Sequence, residues 1–147
     1  MADIARRLDA NPLLRPADVA PSMDGLAIRC VFNPGAFRFK GKVVLLLRVA
    51  EFAPSDEKHV RVPVIDASHD MRVLQFDRSQ ITDGGPCAFT HRGVVHLTSL
   101  SHLRLAWSDD GVHFTVDAKP TLIGEGALES YGIEDCRVVR IGEAFHL

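Results

Sequence analysis

Apolar residues in this chain recur at every second position over short stretches, separated by turn-forming residues, which predicts strands rather than helices. Residues 26–32 predict a strand that Asn33, Pro34, Gly35 and Ala36 end as a turn, with a further short strand over 37–39. Residues 42–50 form a continuous apolar run, too short for a helix, and predict a central strand buried on both faces. Residues 59–65 alternate, and Pro63 marks them as an edge or bulged strand; residues 71–76 alternate again. After the turn cluster at 83–86 come short strands at 88–90, 94–98 and 103–108. Asp110 and Gly111 predict a tight hairpin into 113–116, because that dipeptide accepts the positive φ of a primed turn. A long loop from Lys119 past Gly126 leads to a strand at 137–141, a turn at Gly142 and Glu143, and a partner over 144–147. That partner starts so close to Leu147 that the sequence reads as cut short.

About ten short strands and no long helix place the chain in the all-β class. Residues 1–22 read as an N-terminal arm that wraps over a surface, with a helical segment over 4–8 and prolines at 12, 16 and 21. Residues 23–147 form the β domain.

At 147 residues, 46% apolar and 24% charged, the composition is that of one ordinary globular domain. A net charge of −2 offers no basic stripe, so neither nucleic acid nor an anionic membrane is expected as a partner. No apolar run approaches the length of a spanning helix, and the N-terminus lacks the apolar core of a signal peptide, so a cytoplasmic location is expected. Cys30, Cys87 and Cys136 are odd in number and lack C-x-x-C spacing, which argues for reduced thiols and against a structural zinc site. The seven histidines are scattered without metal-ligand spacing, and no metal is expected.

Polar chemistry concentrates in residues 131–137, where Glu134, Asp135 and Arg137 stand between Gly132 and the apolar pair Val138 and Val139. At the entrance to a strand, adjacent acids point to opposite faces, so one would look into a cleft while the other braces a neighbour. The blander reading makes Asp135 a turn cap or the partner of Arg137.

With these residues laid out, the chain resembles glycoside hydrolase family 130, the mannoside phosphorylases and related mannosidases that fold as five-bladed β-propellers. Asn33 to Ala36 with Leu45 to Arg48 resembles the family's N-P-G-A and L-L-x-R pair. Ser101 to Phe114 resembles its S-x-L-R-x-A-x-S-x-D-G-x-x-F segment, and Gly132 to Arg137 its G-x-E-D-P-R, with Cys136 in place of the proline. The three segments occur in the family's order.

The resemblance implies a carbohydrate-active enzyme acting on β-mannoside oligosaccharides by inverting phosphorolysis, a glycosyltransferase-type reaction giving mannose 1-phosphate. Inorganic phosphate would be co-substrate, with no organic cofactor. Hydrolysis of the same linkage is the alternative within the family, and a non-catalytic sugar-binding or interaction module the alternative outside it. Asp135 falls on the general acid, thought to send its proton through a sugar hydroxyl. Asn33 and Arg48 fall on residues that contact the sugar. Arg104, Tyr131, Glu134 and Arg137 are further candidates for binding substrate, whereas Leu103, Leu105 and Trp107 share a strand face and are expected to pack.

At roughly 40 to 50 residues a blade, the chain supplies about two to three of five blades. It therefore reads as the N-terminal portion of a family member, an incomplete propeller. With its ring unclosed, such a piece is expected to be inactive alone, and to be unstable or to associate with itself or with a completing chain.

Overall fold

The computed structural model describes residues 7–147, and among them the fold is all-β, with helix limited to single 3-10 turns. Strands β1 (Ala27–Phe39), β2 (Lys42–Phe52), β8 (Leu100–Ser108) and β9 (Thr115–Val116) form a four-stranded antiparallel sheet in the order β1-β2-β8-β9. Between β2 and β8 the chain makes the hairpin β3 (His59–Ile65) with β4 (Met71–Asp77). It then makes the three-stranded sheet of β5 (Ile81–Thr82), β6 (Ala88–His91) and β7 (Val94–Leu97). Strands β10 (Val139–Ile141) and β11 (Ala144–His146) close the described chain as a hairpin.

The apolar run is the centre of the main sheet, as its pattern predicts. Val44, Leu46, Leu47 and Val49 on β2 are buried on both faces, each contributing roughly 1.5–3 kcal/mol. Leu47 and Val49 pack with Ala106 of β8 and with Val19 of the arm. The other face carries Phe37 and Phe39, against which Phe145 of β11 packs at ring distances of 5.4 and 5.7 Å. A second cluster of Val62, Val64 and Phe89 joins the β3–β4 hairpin to the β5–β7 sheet. Pro63 is accommodated because β3 has a single strand neighbour.

Among the described residues, Leu14 and Val19 lie on the Leu47 face of the main sheet. Arg104 Nη1 donates to the Ala20 carbonyl at 2.7 Å, and Ser22 donates through both its amide and its hydroxyl to Glu51. The helical segment expected over residues 4–8 falls largely outside the described residues.

Two local expectations are overturned. Asn33 to Ala36 do not end a strand: β1 runs through them as a bulge, with the register stepping from Phe32 opposite Arg48 to Gly35 opposite Leu46. Asn33 takes φ +46, a conformation its short polar side chain tolerates, and this absorbs the extra residue without breaking the ladder. Asp110 and Gly111 do join β8 to β9, but through a wider loop over residues 109–114. The Asp110 carboxylate accepts from the Ser108 hydroxyl and from the amides of Val112 and His113, and this local capping replaces a two-residue turn.

Candidate active site

The segment 131–137 is held against the start of β8 by backbone. Ser101 donates its amide to the Tyr131 carbonyl at 3.0 Å and accepts the Ile133 amide at 3.0 Å. Gly132 sits between these two bonds at φ +90, and a Cβ there would stand 1.7 Å from the Ser101 carbonyl oxygen. Only glycine permits that approach. On the far side Gly35, in the bulge of β1, faces the Cys136 carbonyl and Val138, where a Cβ would stand 3.1 Å from each and the neighbours would have to give slightly.

Asp135 has φ +46, so the segment is not an extended strand and the expected divergence of the two acids does not occur. Glu134 and Asp135 instead converge on one guanidinium. Arg48 Nη1 donates to Asp135 Oδ1 at 2.9 Å, and Nη2 pairs closely with Glu134. Asn33 Nδ2 donates to the same Asp135 Oδ1 at 3.0 Å, made possible by the bulge that turns Asn33 out of the strand pattern.

Arg48 is itself fixed from the sheet. Its Nε donates to Ser101 Oγ at 3.2 Å, and its guanidinium lies 4.5 Å from the Phe32 ring centroid. Arg137 lies at the edge of this group and donates to the carbonyls of Asn33 and Cys136 at 3.3 and 3.0 Å. Asp135 is thus tied to Asn33 and Arg48 rather than to a salt bridge with Arg137.

These contacts set the electrostatics. The hydrogen bonds from Asn33 and then Arg48 hold the Asp135 carboxyl below its ordinary value, against a small opposing effect of burial. Its side chain is half exposed, and Oδ2 accepts no hydrogen bond among the described residues. Cys136, beside it, has its thiol pushed up by burial.

Asn33, Arg48, Glu134, Asp135 and Arg137 are therefore together, while two candidates lie elsewhere. Arg104 is on the opposite face of β8 from Ser101, fully buried, and reaches Ala20 rather than the acids. Strand alternation decides this: Ser101 and Leu103 share the Arg48 face, and Arg104 falls on the arm face. Tyr131 packs on the Val62, Val64 and Phe89 cluster, and its hydroxyl lies 2.9 Å from His96 Nδ1. Sequence reasoning missed Ser101 and Phe32. Ser101 is the first residue of the S-x-L-R segment, so its motif position was the available signal.

No protein-family model matches the chain. Over 149 aligned positions it is 37% identical to beta-1,2-mannobiose phosphorylase of Listeria innocua serovar 6a, an alignment covering 96% of this chain and 42% of that enzyme. The solved structure of beta-1,2-mannobiose phosphorylase from Listeria innocua in its beta-1,2-mannobiose complex superposes with a TM-score of 0.85 at 38% identity. That match covers 95% of this chain and 42% of that one. The sheets described above are thus part of a β-propeller-type fold. The chain thus spans less than half the length of the relative and of the solved structure it matches.

Proposed function

We propose that this chain supplies the acid-bearing wall of a β-mannoside phosphorylase active site, with β-1,2-mannobiose as substrate. The observation that carries the reading is the convergence of Asn33 and Arg48 on one oxygen of Asp135, leaving the other oxygen open to a ligand. Similarity to an enzyme named for β-1,2-mannobiose phosphorolysis supplies the substrate class.

In this reading phosphate attacks the anomeric carbon from the face opposite the leaving sugar, and the glycosidic C–O bond breaks as the new C–O bond to phosphate forms. The departing oxygen takes a proton from Asp135, directly or through a sugar hydroxyl. Phosphate is already anionic, so no second carboxylate is needed to activate a nucleophile, unlike inverting hydrolysis. Glu134 then serves to hold Arg48.

The low proton affinity of Asp135 without ligand opposes a role as acid at neutral pH, and substrate resolves the conflict. Sugar hydroxyls that draw Asn33 and Arg48 onto themselves remove the two contacts that keep Asp135 ionised. The incoming phosphate adds negative charge nearby, which raises its pKa further. Phe32 and Ser101 retain Arg48 through this exchange.

A cytoplasmic enzyme fits the cysteines, all three unpaired, and no helix among the described residues is long and apolar enough to cross a membrane. The deciding experiment joins the chain to the C-terminal blades of the Listeria relative, incubates the hybrid with β-1,2-mannobiose and phosphate, and measures mannose 1-phosphate. Asp135→Asn is expected to abolish release, and undiminished turnover would remove Asp135 from the acid role. Free mannose as the sole product would shift the reading to hydrolysis.

A further inference from the structure

A cavity of about 350 Å³ lies between the start of β1, the end of β2, β3 and the β5–β6 turn. Its wall includes Arg29, Arg61 and Arg78 and no acidic side chain, in a protein whose net charge is −2. It shares no lining residue with the group around Asp135.

The three arginines are not equivalent. Arg61 is neutralised by Asp56 at 2.6 Å, a carboxylate whose pKa is lowered to about 2, chiefly by the Lys58 and His59 amides. Arg29 and Arg78 form no ion pair among the described residues. Both are nonetheless held in place. Arg29 Nη1 donates to Thr98 Oγ1 at 2.8 Å and to the Pro86 carbonyl at 3.1 Å, with its guanidinium 5.0 Å from the Phe52 ring centroid. Arg78 is fixed through Nε to the Asp56 carbonyl at 2.8 Å, which leaves both terminal nitrogens available.

We propose that this cavity is a second anion site, one that takes a phosphate group, either inorganic phosphate or a small phosphomonoester. Two uncompensated guanidiniums match the charge of a phosphate dianion, and each presents a fork of donors to a tetrahedral array of acceptor oxygens. A single carboxylate would leave one cation unneutralised. Gly84 and Gly85 present bare backbone at the wall, so an ester's organic body can approach closely.

The test is a ¹H–¹⁵N NMR titration of the chain at constant ionic strength, with inorganic phosphate in one arm and glucose 6-phosphate in the other. Saturable shifts are expected at the Gly84, Gly85 and Thr98 amides and at the Arg29 and Arg78 Nε groups. Arg78→Gln is expected to weaken binding about tenfold or more, and Arg29→Gln likewise. Tighter binding of the ester than of phosphate identifies an esterified ligand, and equal binding identifies the free ion. Either result supports the site. Shifts that fail to saturate, or that persist unchanged in Arg78→Gln, overturn it. Arg78 is exposed, so that variant retains the fold even if Arg29→Gln does not. The readout is independent of turnover at Asp135.

Discussion

The carbonyl oxygen of Ser101 occupies the space where a side chain on Gly132 would begin, 1.7 Å from an ideal Cβ. The acid segment is therefore seated by backbone contact, and any side chain at this position must lift it away from β8. Gly132→Ala is expected to destabilise the chain by about 2 kcal/mol or more, from the strained φ and the forced displacement. Thermal denaturation checks this, and an unchanged Tm would show that the segment is not seated as described.

Arg48 bridges Glu134, Asp135 and Ser101 with separate nitrogens, which a single ammonium cannot reproduce. In the hybrid that tests the proposed function, Arg48→Lys is expected to lower kcat/KM by about tenfold or more. Equal kinetics for the two proteins would mean that the fork geometry is irrelevant to turnover.

The Asp135 carboxyl titrates below its ordinary value first because Asn33 donates to it. Asn33→Ala is expected to raise its midpoint, measured by carboxyl ¹³C NMR. Because the folded value is depressed, the stabilisation Asp135 provides is present above the unfolded pKa and is lost as pH falls through the folded one. In Asn33→Ala this acid-side loss should shrink. A midpoint unmoved by the substitution would assign the depression to Arg48 alone.

Glu51 is fully buried, 3.2 Å from His102 Nε2 and 3.8 Å from Arg104. Burial alone pushes its carboxyl up, but hydrogen bonds from His102 and Ser22 outweigh burial and leave the value lowered. Its contribution is therefore also lost as pH falls through that depressed value. Glu51→Gln leaves Arg104 buried without a countercharge, and a loss of about 3 kcal/mol is expected. Proteolysis within residues 7–22 should accelerate in parallel, because Ser22 loses its anionic acceptor. Cleavage at the wild-type rate would show that the arm is held by other contacts.

Strand positions and their alternation were legible in the sequence, because a buried strand needs apolar residues at fixed spacing whatever it pairs with. The run at 42–50 announced its central place, and the motif segments singled out Asn33, Arg48 and Asp135, whose side chains the structure brings together. What the sequence by itself did not carry was anything dependent on a partner far along the chain. Arg48 and Asp135 stand 87 positions apart, and they meet only because β2 pairs with β8 and Gly132 docks the acid segment on Ser101. The pairing face decided that Ser101 joins the site while Arg104 turns to the arm. Positive φ at Asn33 and Asp135 brought three side chains onto one another where strand alternation would have parted them. Local pattern determined which segments extend, since that follows from burial period and turn chemistry. Tertiary structure decided which charges share a site, because register and backbone handedness are settled only when distant strands pack.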